Sequence, residues 1–159
     1  MQNMPLQTTD KIDRAILRVL QKDGRLSNVQ LASRVGLSES ACLRRVRLLE
    51  QSGIIDRYVM LVDQAAIGKP GNVFVWVTLE GQQKEKLQQF EKAVVTVPEV
   101  MECYMMSGAF DFLLRVIIKD NIDYMRVHEK LTGLPGVMRV QSSFALRTVR
   151  KTTELALDN

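Results

Sequence analysis

Apolar residues recur at helical spacing in the first third of the chain, and alternate at strand spacing between shorter helical stretches in the remainder. Ile12, Ile16 and Leu20 fall four residues apart and Leu17 joins them, which predicts an amphipathic helix ending before Asp23-Gly24. Asp10 stands where its N-cap belongs, and Asp13 lies in the first turn near the positive helix end. Ser27-Asn28-Val29-Gln30 has capping-box spacing and opens a short second helix, with Val29, Leu31, Ala32 and Val35 apolar and Gly36 as its stop. Ser38 caps a third helix that Gly53 ends. Only Gly36-Leu37 separates the second and third helices, and so short a link forces the sharp crossing of a helix-turn-helix. Ile54 to Val62 is β-rich and predicts a strand, either a wing or a connector. Residues 1–9 read as a flexible arm.

Asp63 to Gly71 contains Gly68, Pro70 and Gly71 and marks a boundary. It divides a first domain at 1–62 from a second at 72–159, with 63–71 as linker. The second part predicts a strand from Asn72 to Leu79, a helix over 83–97 closed by Pro98, and a strand from Val100 to Ser107. The turn Gly108-Ala109-Phe110-Asp111 leads to a strand from Phe112 to Ile118. A helix from Asp120 to Leu134, stopped by Pro135-Gly136, and a last strand from Val137 to Arg147 follow. This β-α-β-β-α-β order is the ferredoxin-like arrangement, two helices on one antiparallel sheet, so the whole chain is of α+β class. The first of these strands is apolar on both faces, and helices cover only one. A second copy of the chain is the simplest cover for the other, which makes a homodimer through the sheets the expected assembly.

Placed on the third helix, Cys42, Val46 and Leu49 share one face, and Ser40, Arg44, Arg47 and Gln51 gather on the opposite one. A helix with one buried side and outward guanidinium forks meets the needs of a major-groove reader. Arginines on an outer face are also common in solvated helices, so the context decides. The context is basic. Residues 1–60 hold ten Lys/Arg against six Asp/Glu, whereas the rest hold twelve of each, so the whole net charge of +4 lies in the first part. Ser38 and Ser40 are candidates for phosphate contact at the helix start, Arg44 and Arg47 for guanine edges. Arg45 lies toward the flank of the buried face and suits either a phosphate or an intramolecular carboxylate. Arg34 and Arg57 are weaker backbone candidates.

Other chemistries find little purchase. Cys42 and Cys103 form no CxxC pair and read as small core hydrophobes, and His128 is the single histidine, within a helix. No phosphate-cradling glycine motif, HExxH or nucleophile elbow occurs, so neither enzyme activity nor a cofactor or metal is expected. No apolar run is long enough to span a membrane and the N-terminus has no apolar signal core, which reads as a cytoplasmic protein. Asp111 reads either as a turn cap or as a ligand contact on an exposed loop.

The chain resembles one family, the Lrp/AsnC or feast/famine bacterial transcription regulators, over about residues 8–150. The segments carrying the likeness are Asp10 to Leu17, Asp23 to Ser27, Val35 to Ser38, Cys42 to Val46 and Gly53 to Ile55. In the second half they are Val100 to Tyr104, Ser107 to Leu114 and Leu134 to Val137. The resemblance implies an N-terminal winged helix-turn-helix and a C-terminal ligand-sensing domain. It also implies dimers that often assemble four at a time, at work on the nucleoid. It further implies an amino-acid effector near the Gly-x-x-Asp turn, between neighbouring dimers. Carried over, that points to Ser107, Gly108, Ala109 and Asp111, with Ser142 or Ser143 as further candidates. Ala109 stands where the family often has an acidic residue, which bears on recognition of a positively charged ligand, while Asp111 can still accept from an α-ammonium. Met105, Met106, Phe110 and Phe112 flank the turn and suggest an apolar ligand such as leucine or methionine, or else core and interface packing. Two rivals stand beside a regulator: a small enzyme on a ferredoxin-like scaffold, and a chromatin-packing protein with little sequence choice.

Overall fold

The computed structural model describes residues 9–157. The chain divides into two compact units: the first runs to Leu61 and resumes at Arg150, and the second runs from Val62 to Val149. The expected arm at 1–9 lies outside the described residues except for Thr9, whose carbonyl accepts from Arg14 Nη1 at 2.7 Å.

The first unit is built on α1 (Lys11–Leu20), α2 (Asn28–Val35) and α3 (Glu39–Gln51). Each begins on a side-chain cap. Asp10 accepts from the Ile12 and Asp13 N–H groups, Ser27 and Gln30 exchange a capping box, and Ser38 Oγ accepts from the Ala41 N–H. α2 ends at Gly36 with φ of 68°, a left-handed conformation that glycine adopts at no steric cost. Ile16, Leu17, Leu31, Ala32, Cys42 and Leu49 form the core between the three helices. The strand expected at Ile54–Val62 is not formed; this stretch has no ladder partner among the described residues, and Val59 to Val62 stand exposed. β-propensity describes fit to a neighbouring strand, and without one the propensity finds no expression.

The second unit contains β1 (Gly71–Leu79), α4 (Lys84–Val94), β2 (Val100–Met105), β3 (Phe112–Ile118), α5 (Asn121–Thr132) and β4 (Val137–Phe144). The sheet order is β2-β3-β1-β4 with every pairing antiparallel, as the ferredoxin-like reading requires. Strict alternation sorts the strands: Val73, Val75, Val77 and Leu79 of β1 and Phe112, Leu114, Val116 and Ile118 of β3 are buried toward one side. There they meet Phe90 and Val94 of α4, and Val127 and Leu131 of α5. Phe90 and Phe112 sit with ring centroids 4.6 Å apart.

Several predicted elements are shorter in the structure. α4 gives way after Val94 to a tight turn closed by Val97 N–H on the Val94 carbonyl, β2 stops at Met105, and β4 stops at Phe144. The C-terminal segment is a larger difference. The sequence boundary assigned everything from 72 to 159 to the second domain, but from Arg150 onward the chain packs with the first unit, where Leu157 joins the core cluster.

Candidate functional site

The register of α3 follows from its caps and its core contacts. Ser38 fixes the start, Cys42 and Leu49 are buried, and Asn28 Nδ2 donates to the Glu39 carbonyl at 2.8 Å, tying α2 to the first turn. The opposite face then falls outward. Ser40, Leu43, Arg44, Arg47, Leu48 and Gln51 line one shallow cleft of about 300 Å³. Among the described residues neither Arg44 nor Arg47 has an ion-pair or hydrogen-bond partner. Leu43 and Leu48 had no place in the sequence reading of this face; both are more than one-third exposed and supply the apolar contact that a thymine methyl or sugar edge takes. Helical spacing alone could have found them, since Leu43 lies three residues after Ser40 and four before Arg47, and Leu48 four after Arg44 and three before Gln51.

Arg45 differs from its neighbours. Its Nη1 sits 2.7 Å from both Asp10 Oδ2 and Asp13 Oδ1. The hydrogen bonds to Asp13 and then Asp10 raise the guanidinium pKa. The Asp13 backbone N–H, followed by Arg45, holds the Asp10 carboxyl below its ordinary value. Of the two roles open to Arg45, the structure shows the intramolecular one: this arginine staples α3 to the N-terminus of α1 and does not point into the outward cleft. Its inclusion with the DNA-facing residues is therefore corrected. Ser38 Oγ accepts from the Ala41 N–H as the cap, with the Ser40 hydroxyl 3.4 Å away, and a hydroxyl that accepts there can still donate its own proton.

In the second unit the turn between β2 and β3 is pinned at its base. Met106 N–H donates to the Asp111 carbonyl at 2.9 Å and Asp111 N–H to the Val77 carbonyl at 3.0 Å. Gly108 holds φ of 129°, a backbone conformation that side chains disfavour. Ser107, Gly108 and Ala109 are exposed at the tip, with Met105 and Met106 exposed beside them. Asp111 is not at the tip. It is 7% exposed, its Oδ2 accepts from the Leu79 N–H at 2.8 Å, and its Oδ1 accepts from Gln82 Nε2 at 2.7 Å. The expectation that Asp111 meets a ligand directly is thus corrected: its two oxygens hold the turn onto the end of β1. Gln82, which the sequence reading missed, lies on a different element, and no local signal pairs it with Asp111. Phe112 is also withdrawn from the turn's surroundings, because alternation places it in the core.

Ser142 and Ser143 face opposite sides of the sheet. Ser142 hydrogen-bonds Tyr124 of α5 on the helix side, whereas Ser143 lies opposite Phe74 on the bare side. One ligand cannot engage both. On that bare side, Phe74, Trp76, Leu113, Ile117 and Tyr104 form a partly exposed apolar surface. A polar network crosses it: Arg115 Nε donates to Glu102 Oε1 at 2.7 Å, Arg115 Nη1 to Asn72 Oδ1 at 3.0 Å, and Tyr104 Oη to Glu102 Oε2 at 3.0 Å.

Known proteins share both units. Residues 9–56 match the family model for winged helix-turn-helix DNA-binding domains, and residues 72–155 match that for the Lrp/AsnC ligand binding domain. The Bkd operon transcriptional regulator of Pseudomonas aeruginosa is 44% identical over 141 residues, which are 88% of this chain and 92% of that protein. The leucine-responsive regulatory protein of Escherichia coli K12 is 40% identical over 154 residues, covering 96% and 94%. A transcriptional regulator from Neisseria meningitidis, crystallised with L-methionine, superposes with a TM-score of 0.90 at 38% identity, covering 95% of this chain and 98% of that one.

Proposed function

Because this chain belongs to the Lrp/AsnC family of DNA-binding transcription regulators, we propose that Ser40, Arg44, Arg47 and Gln51 of α3 read its operator and that an apolar amino acid at the Ser107–Ala109 tip governs it. The partition of the three arginines carries the DNA half. One is used to build the unit, and two are left without partners among the described residues, on an outward helix face. Arg44 and Arg47 reach base edges, while Ser38, Ser40 and the N-terminal N–H groups of α3 meet phosphate. Base-edge contacts favour a sequence-selective regulator over a DNA coat.

Two copies join through the bare sheet faces. Phe74, Trp76, Tyr104 and Leu113 supply the apolar contact, and the pair presents two α3 helices to two half-sites. Four such dimers then close into one assembly, with the turn tips at the dimer–dimer contact. Such a regulator works in the cytoplasm on the nucleoid; no described helix is long and apolar enough to cross a membrane.

The relative from Neisseria meningitidis binds L-methionine. Here Met105 and Met106 flank a tip that lacks a carboxylate at Ala109, so methionine or leucine suits this turn better than a cationic amino acid. The ligand shifts assembly only through its differential affinity for the two states. A thermal-shift screen of the twenty amino acids tests the ligand half. A binder at a hundredfold excess over its Kd adds about 2.7 kcal/mol, which moves the midpoint by several degrees. Stabilisation by methionine or leucine, lost in Gly108→Val, is expected; stabilisation by charged amino acids alone overturns the assignment.

A further inference from the structure

The segment beyond Val149 returns to the DNA-binding unit, and its docking is specific. Gln21, at the C-terminal end of α1, takes both backbone groups of Leu155: its Oε1 accepts from the Leu155 N–H at 2.6 Å, and its Nε2 donates to the Leu155 carbonyl at 3.2 Å. A side-chain amide here imitates one rung of a β-ladder. Two residues on, Arg18 Nη2 donates to the Leu157 carbonyl at 2.9 Å, and the Leu157 side chain packs on the apolar cluster of the three helices. The docking groove, about 400 Å³, is walled by Leu17, Leu20, Ile55 and Tyr58.

We propose that residues 150–157 are a strap that gives the DNA-binding unit a second, non-covalently docked attachment to the effector unit, and that this strap sets how strictly the protein selects half-site spacing. The proposal rests on the regulator reading above. Without the strap, the first unit hangs on residues 52–70, which hold no helix or strand. A unit on one irregular link samples many orientations, whereas anchors at two separate points remove most of that freedom. A protein that places two α3 helices on one duplex converts that restriction into effective concentration at the correct spacing, and into a penalty at every other. The strap lies against α1 and Ile54–Tyr58, and none of its contacts is Ser40, Arg44, Arg47 or Gln51. It leaves the reading face open, so it is a tether and not an inhibitor.

The test uses the full chain and two variants, Gln21→Ala combined with Leu157→Ser, and Leu155→Pro. The second removes the N–H that Gln21 accepts and leaves the helical core intact. Hydrogen exchange reads docking directly: the Leu155 amide is protected in the parent and exchanges like a free peptide in the first variant. Fluorescence anisotropy then measures affinity for duplexes carrying one selected half-site, two at the preferred separation, and two displaced by half a helical turn. Both variants are expected to hold single-half-site affinity within about twofold, while the preference for the correct separation falls about tenfold, less than the full hundredfold or more of linkage because the link at 52–70 remains. An unprotected Leu155 amide in the parent, or spacing preference unchanged after release, overturns the strap. Absence of any half-site preference in the parent falls instead on the regulator reading, and the exchange result still decides whether the segment is docked.

Discussion

The arginines of α3 offer a graded experiment within one helix. Arg47 stands outward in the cleft with Ser40 and Gln51, whereas Arg45 is held by two carboxylates at 2.7 Å each. One bidentate arginine–guanine contact is worth about 1–3 kcal/mol of discrimination, and the proposed twofold dimer would make it twice, so Arg47→Ala should cost roughly 2–6 kcal/mol on a two-half-site duplex. That is about 30-fold to 20,000-fold in specific affinity, with random-sequence DNA affected far less. Arg44 lines both this cleft and a second recess with Asp13, Ser52 and Ile54, and its alanine variant is expected to lose affinity in the same direction. Arg45→Ala removes the staple between α3 and α1, so it should lower the unfolding midpoint of the first unit and leave the specific-to-nonspecific ratio within about twofold. Anisotropy titrations at several salt concentrations separate the roles further. A lost phosphate contact flattens the log–log salt slope by about 0.9 per phosphate, while a lost base contact does not. A loss of discrimination in Arg45→Ala, still folded by circular dichroism, as large as that in Arg47→Ala, or no loss in Arg47→Ala, refutes this division of roles.

Three further outcomes follow from the packing and the titrating groups. Asp10 is held below its ordinary value of 3.8 by the Asp13 N–H and by Arg45. A depressed acid contributes stability above that value and loses it as pH falls through the folded pKa. Asp10→Asn, which keeps a cap acceptor, should therefore flatten the acid limb of first-unit unfolding while lowering stability at neutral pH. Burial pushes the Cys103 thiol to about 11. At pH 8 its thiolate fraction is then about one in a thousand, so alkylation should run some hundredfold slower than for an ordinary thiol and accelerate only on unfolding. Phe112 is 1% exposed and packs against Phe90, so Phe112→Ala should cost about 3–5 kcal/mol by denaturant titration of the second unit, with DNA contacts of the first unit untouched.

Local patterns were legible wherever the relevant physics was local. Caps at Asp10, Ser27, Ser38 and Asp120, the stop at Gly36, and the inward alternation of β1 and β3 all depend on residues a few positions apart, and each stands in the structure as read. What escaped depends on pairing across distance. Ile54–Val62 has the composition of a strand, but composition does not supply a neighbour. Asp111 has the position of a ligand contact, yet its oxygens go to Leu79 and to Gln82, 29 residues away in the chain. The tail from Arg150 has no periodicity to mark it, and its partner Gln21 lies 134 residues earlier.

Arg45 shows why the site was only half readable. Wheel geometry set it apart from Arg44 and Arg47 as a flank residue, and two alternatives remained: phosphate or an internal carboxylate. The choice turned on whether α1 would bring its acidic first turn to the middle of α3, which follows from how three helices cross around Ile16 and Cys42 and not from the sequence of either helix. Once that crossing is set, Asp10 and Asp13 perform two tasks. They cap α1 against its own dipole, and they hold the flank arginine, Arg45, apart from the outward face. What remains outward is then a spaced pair, Arg44 and Arg47, flanked by Ser40 and Gln51. A continuous basic stripe would bind any duplex, because phosphates repeat everywhere. A face thinned to a few forks with leucines between them gains less from phosphate and depends more on the base edges it meets, which is the physical condition for a regulator to prefer one sequence.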